Sequence, residues 1–305
     1  MLSVRDLSIS FATRHGTARV LDRVSLDIAP GEIVGLVGES GSGKSVLSYA
    51  ISGLLDPAAG VIGGSIHWRD RPIEILRENR APKLPIAQIF QAPRASLNPT
   101  RRIGRQIADV VGKAAVASLL ASVRVSPEKA ASFPFELSGG QCQRIGIALA
   151  LGRNPDLLIA DEPTTGLDVL TEAAILDLVG DLAQARGMAT LLVTHDLALA
   201  VERCDRIVVM HAGQIVESAP ADAILTQPRH PYTEALKGCI PQLSATPEML
   251  TAIPGQLPDL TAALPACRFA ARCPRFEEAC ASDRVPTYPV ASQHIVYCRH
   301  PHAAG

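Results

Sequence analysis

The sequence predicts an α/β protein: a mostly parallel sheet with flanking helices, entered through an antiparallel β segment, interrupted by a helical insert and followed by a loop-rich tail. Three observations carry this expectation. Short apolar, strand-like runs at Leu157 to Ala160, Ala189 to Val193 and Arg206 to Met210 are separated by helical stretches at Leu170 to Arg186 and Leu197 to Val201, the alternation that builds βαβ units. A glycine-rich turn at 38–45 lies between an apolar run and a helical one. Proline density climbs after Pro228, and four of the seven cysteines fall in the last 40 residues.

The elements follow in order. Leu2 to Phe11 and Val24 to Ile28 alternate apolar with polar residues, as half-buried strands do, and Thr13 to Thr17 between them reads as a hairpin or loop. Glu32 to Val37 is a short apolar strand. After the glycine turn, Lys44 to Leu55 has helical spacing until Asp56-Pro57 stops it. IAQIF at 86–90 is strand-like, and Arg101 to Phe135 is Ala-rich with a helical period, the insert at about 100–150. The sheet core ends near Ser218. Two units are expected, a core at 1–240 and a cysteine-bearing appendage at 241–305, and no repeat of solenoid length occurs.

Bulk properties exclude some classes. A formal net charge of -1 provides no field to gather polyanions, so nucleic acid is not an expected partner. MLSVRDLSIS lacks the basic start and apolar core of a signal peptide, and no run of 18 uncharged apolar residues occurs. The chain is therefore expected in the cytosol, where cysteines serve as thiols or metal ligands rather than disulfides.

Residues 38–45 read GESGSGKS, the G-x-x-x-x-G-K-[ST] pattern, between a strand and a helix as its mechanism requires. Gly38, Ser40, Gly41 and Gly43 belong to a loop whose backbone N–H groups turn onto phosphate oxygens. Lys44 neutralises charge, Ser45 ligates Mg²⁺, and the following helix adds its positive end. LLIADEP at 157–163 is an apolar strand ending in two acids: Asp161 holds Mg²⁺ through water and Glu162 polarises an attacking water. LSGGQ at 137–141 opens a helix. Gln91 follows the IAQIF strand, TTGLD occupies 164–168, and His195 ends the strand in LLVTHD. Taken singly, these have plainer explanations: a tight turn, a solvated acidic loop, a surface glutamine, a strand-end histidine. Six elements in this order across 38–195 do not share one.

The set resembles the ABC ATPases, with LSGGQ as the family's signature motif. The resemblance implies a P-loop ABC ATPase core that hydrolyses ATP with Mg²⁺. It implies a head-to-tail pair of such subunits, in which Ser138, Gly139, Gly140 and Gln141 of one meet the γ-phosphate held by the other. Gln91 is implied to reach Mg²⁺ as the Q-loop glutamine, Asp168 to end the D-loop, and His195 to act as the switch histidine. Phe11 lies where the family's adenine-stacking aromatic follows the first strand, a core phenylalanine being the alternative. QAPRASLNP at 91–99, DEPTTGLDV at 161–169 and RHPYTEALKGCIP at 229–241 narrow the resemblance to the oligopeptide/dipeptide importer ATPases, and GQLPD and ACRFAARCP extend it into the tail. That family implies a second homologous ATPase subunit, two integral membrane permease subunits, indirectly a substrate-binding protein, and a peripheral place at the cytoplasmic face of the inner membrane. Its cargo is peptides first and nickel or metal chelates second; a soluble ABC ATPase that remodels other complexes is the reading from another class. The insert between Gln91 and Leu137 is shorter than the family leads one to expect.

Cys267, Cys273, Cys280 and Cys298, spaced C-x5-C-x6-C-x17-C, provide four thiolates in a segment too short for its own core. Zinc, an iron–sulfur centre and free thiols all fit such a set, with His294, His300 and His302 as nearby alternative ligands. The resemblance favours a 4Fe-4S cluster over zinc.

Overall fold

In the computed structural model, residues 1–56, 58–73, 84–240, 252–282, 284–291 and 293–302 are described. The chain runs β1 (Leu2–Thr13), β2 (Gly16–Ile28), β3 (Ile33–Val37), α1 (Lys44–Ser52), β4 (Ala59–Trp68), β5 (Arg71–Ile73), β6 (Ile86–Ile89), α2 (Ile103–Val111), α3 (Val116–Ser122), α4 (Gly139–Leu151), β7 (Leu157–Asp161) and α5 (Val169–Arg186). It continues with β8 (Ala189–Thr194), α6 (Leu197–Arg203), β9 (Arg206–His211), β10 (Gln214–Pro220), α7 (Ala221–Thr226), α8 (Pro231–Gly238), α9 (Ala279–Ser282), β11 (Thr287–Ala291) and β12 (His294–Tyr297). These group into two compact units: Met1–Ala29, Ile33–Pro82 and Val193–Gly305 in the first, Pro30–Glu32 and Lys83–Leu192 in the second.

The first unit holds an antiparallel sheet ordered β2-β1-β4-β5. Leu2, Val4, Leu7 and Ile9 of β1 are almost wholly buried while the intervening residues are not, the period of two that a one-sided sheet requires. The step from Val4 to Leu7 is accommodated by a register shift at Asp6, whose φ is +45°. A second run of strands is ordered β11-β12-β10-β9-β3. Here β3 pairs parallel with β9, β9 antiparallel with β10, and β12 antiparallel with β10 through Glu217↔Val296 and Ser218↔Ile295. The cysteine-bearing tail thus contributes a hairpin to the sheet edge at β10. Sequence reading found no strand beyond residue 240. The β12 signal is only four residues long, and β11 is exposed throughout and carries Pro289, which suits an edge strand alone. The sequence boundary at 240 abuts residues 241–251, outside the described set.

In the second unit β7 lies between β6 and β8, with β6 and β7 parallel. All five residues of β7 and all six of β8 are buried, the continuous burial of parallel strands covered on both faces. The insert forms α2 and α3 joined through Gly112, whose φ of +81° ends α2. Helix α1 stops at Ser52, earlier than the spacing suggests, because Gly53 takes a left-handed conformation and donates its N–H to the last turn. β4 was not read from the sequence; its AGVIGG start carries three glycines and reads as turn.

Candidate nucleotide site

The phosphate loop belongs to the first unit. Buried β3 delivers the chain into Gly38, where a Cβ would stand 2.0 Å from the Met210 carbonyl oxygen. Only glycine fits there. Ser42 donates its N–H to the Glu39 carbonyl (3.1 Å), and Gly213 donates to the Ser42 carbonyl (2.7 Å), tying the loop to the β9–β10 turn. Lys44 is 5% exposed and its ammonium donates to the carbonyl oxygens of Gly38 (2.8 Å) and Glu39 (2.9 Å). The loop is thereby wrapped around the charge that phosphate would meet. Gly43, at φ +99°, is the N-cap of α1 and brings no side-chain oxygen to its first turn, so those N–H groups suit an outside anion. Gly41 and Ser40 are exposed on the loop and Ser45 is exposed in the first turn. In the same unit His195 is exposed at the end of β8, followed by Asp196, which caps α6 by accepting from the Leu199 N–H. Phe11 is half-buried in β1, paired in register with Ala18 and Ala59.

The acids and the signature belong to the second unit. Asp161 ends β7 at 3% exposure. Glu162 turns the chain with φ +44°, a backbone state uncommon for glutamate and found mostly where surrounding structure enforces it. Its Oε2 accepts from Gln91 Nε2 (2.9 Å) and from Thr165 Oγ1 (3.0 Å). Two positions 71 residues apart, singled out separately in the sequence, are therefore in contact. Ser138 caps α4: its Oγ accepts the Gln141 N–H (3.2 Å) while Gln141 Oε1 accepts the Ser138 N–H (3.0 Å), a reciprocal capping box. Asp168 caps α5 through the Thr171 N–H (3.0 Å) and hydroxyl (2.7 Å), and these bonds hold its carboxyl below the usual range. The two caps adjoin. A Cβ on Gly140 would stand 2.7 Å from Thr171 Cγ2, so Gly140 is needed for close approach, whereas one on Gly139 would meet Leu167 only at an ordinary 3.4 Å. Arg94, just past Gln91, donates to the Leu137 carbonyl (2.7 Å). Cys142 is fully buried with its thiol against the Pro134 carbonyl, a packing residue.

In the tail, Cys267, Cys273, Cys280 and Cys298 all line one small cavity of about 20 Å³, with His230, Arg275 and His300. Burial pushes the thiols of Cys267 to about 12 and Cys298 to about 11, and raises Cys273. Among the described residues no three His, Cys, Asp or Glu side chains stand as a ready metal-holding group. The four thiols converge on one cavity, and their side chains are not drawn together into ligating geometry. His294 is engaged elsewhere, its Nε2 2.7 Å from Glu217 Oε1. Sequence reasoning singled out none of Glu39, Glu217, Arg272 and Tyr232 as functional; Glu39, Tyr232 and Arg272 did lie inside quoted motifs, which was the only available signal, and Glu217 lay in none.

A phosphate loop, a buried strand ending in a hydrogen-bonded acid, and a capped signature helix define an ATPase of the ABC type. The ABC transporter model matches residues 21–165, and the model for the C-terminal region of oligopeptide/dipeptide transporters matches residues 216–280. The dipeptide transport ATP-binding protein DppD of Escherichia coli is 38% identical, covering 99% of this chain and 97% of its own. The oligopeptide transport ATP-binding protein AppD of Bacillus subtilis is 39% identical over 98% and 96%. Among solved structures, an ATP-binding cassette in a dimeric post-hydrolysis state with ADP and Pi superposes with a TM-score of 0.64 at 27% identity, covering 72% of this chain and 99% of that one. CbiO1 of Clostridium perfringens, part of an ABC transporter complex, gives 0.64 at 25% identity over 74% and 90%. The chain belongs to the ABC transporter ATP-binding subunits, in their oligopeptide/dipeptide branch.

Proposed function

We propose that this subunit hydrolyses ATP to drive the uptake of peptides through separate permease subunits. The observation that carries the catalytic part is the Gln91–Glu162 hydrogen bond at 2.9 Å, which holds the acid at the end of a buried strand. A carboxylate held there polarises the water that attacks the γ-phosphorus in line. Lys44 and the loop N–H groups bind the phosphates and absorb the charge that develops, and His195 contacts the γ-phosphate. Ser45, Gln91 and Asp161 offer the hard oxygen donors that Mg²⁺ takes, and the ion when bound neutralises phosphate charge. Ser138 to Gln141, with Asp168 beside them, serve the ATP of a second, homologous ATPase subunit.

The cargo reading rests on relatives whose names state dipeptide and oligopeptide transport and on the matching C-terminal region. Two integral membrane permeases and, indirectly, a substrate-binding protein are the partners, and the subunit sits peripherally at the cytoplasmic face of the inner membrane. No helix among the described residues is long and apolar enough to cross a membrane. The four tail cysteines hold a 4Fe-4S cluster, supported by their shared cavity.

Glu162→Gln tests the catalytic assignment, since it preserves shape and removes the carboxylate. In the assembled transporter it should bind ATP like wild type while turnover and peptide uptake fall by about 10²-fold or more. Near-normal turnover would refute Glu162 as the group that activates water.

A further inference from the structure

Glu39, second residue of the phosphate loop, is gripped by a part of the chain 233 residues away. Arg272, the residue before Cys273, donates from Nη1 and Nη2 to the two carboxylate oxygens of Glu39 at 2.8 and 2.9 Å. Its Nε donates to the Pro254 carbonyl at 2.8 Å. This is the planar two-pronged pairing that only arginine makes. The Arg272 side chain is 5% exposed and that of Glu39 30%, so the pair is less screened than one on the surface. The Glu39 N–H donates to Tyr232 Oη (3.0 Å), and the Tyr232 ring packs 5.3 Å from that of Phe269, which is itself 5.8 Å from the Arg272 guanidinium. Buried His211 brings Nδ1 to 3.6 Å from Glu39 Oε2. Leu257 approaches the other side of the loop, 3.4 Å from where a Cβ would stand on Gly41.

Glu39 also presents the carbonyl that receives Lys44 and the Ser42 N–H. The tail therefore fixes the side chain and backbone N–H of a residue that organises the loop's own charge. A carboxylate beside an anion cradle is otherwise a liability, because it repels the phosphates that the loop is built to receive. The Arg272 hydrogen bond outweighs burial and holds the Glu39 carboxyl below its usual range.

We propose that Arg272 is a positioning residue for ATP binding, which neutralises and orients Glu39 and so makes the nucleotide affinity of the phosphate loop depend on the cysteine-bearing tail. This rests on the reading of 38–45 as the ATP site. The test is a double-mutant cycle on the full chain, with binding of Mg²⁺ and a fluorescent N-methylanthraniloyl ATP as readout and circular dichroism as the check on folding. Arg272→Gln leaves Glu39 charged and loose and should weaken binding about tenfold. Glu39→Gln removes the repulsion together with the clamp and should cost only about threefold, and Glu39→Gln with Arg272→Gln should be no worse than Glu39→Gln alone. Arg272→Lys, which keeps the charge and loses the fork, should fall between wild type and Arg272→Gln. A merely structural arginine predicts otherwise: altered unfolding with unchanged affinity, or additive losses in the double variant, and either result overturns the proposal. If Arg272→Gln does not fold, Glu39→Gln and Arg272→Lys still decide it, since wild-type affinity in both overturns it. Lys44→Ala should lose binding in the same assay; retained binding there would refute the phosphate-site reading itself, and the coupling with it.

Discussion

Replacing Glu217 should cost several kcal/mol of stability, and its size follows from hydrogen bonds alone. Glu217 lies in β10 with no exposure. Its two oxygens accept the N–H groups of Arg229 and His230, both at 2.8 Å, and His294 Nε2 of β12 stands 2.7 Å away. One carboxylate thus holds the turn that opens α8 and the hairpin of the tail against the same strand. Glu217→Ala strands two buried backbone donors, each costing about 1–3 kcal/mol, and loosens the imidazole as well, for a total of about 3–6 kcal/mol. Glu217→Gln keeps one acceptor but turns an NH₂ toward a donor, so about half that loss is expected. Urea unfolding of the full chain followed by circular dichroism measures the difference, and amide exchange at Arg229 and His230 reports whether those two N–H groups open. A loss below about 1 kcal/mol for Glu217→Ala, with unchanged exchange, would refute the role of Glu217 as a hub.

The chain should lose stability in mild acid. Burial pushes the imidazoles of His211 to about 4 and His230 to about 3, below the ordinary 6.5, so their contribution is complete above about pH 6.5 and is lost as pH falls toward those values. Between pH 7 and 5.5 the two should together remove about 2–3 kcal/mol; a flat unfolding free energy across that interval would contradict their neutral burial. Anaerobically purified protein should be brown, with iron and acid-labile sulfide in equal amounts that disappear when Cys267 and Cys273 are changed to Ser. Colourless protein carrying stoichiometric zinc would defeat the iron–sulfur assignment.

The ATP-binding reading was legible because its chemistry is local. The Ser138–Gln141 capping box and the Asp168 cap satisfy their hydrogen bonds within a few residues, and Lys44 folds back onto the Gly38 and Glu39 carbonyls of its own loop, so residue types in order are enough to specify them. The buried runs of β7 and β8 announce themselves in the same way. Resemblance then extended the reading to the tail, but without saying what the tail touches. That was decided by tertiary structure. The Glu39–Arg272 clamp, the Glu217 hub with its donors and His294, and the addition of β12 to β10 join positions tens to hundreds of residues apart. No spacing rule links such positions, because their meeting depends on strand register and on which buried polar group finds which partner once water is excluded.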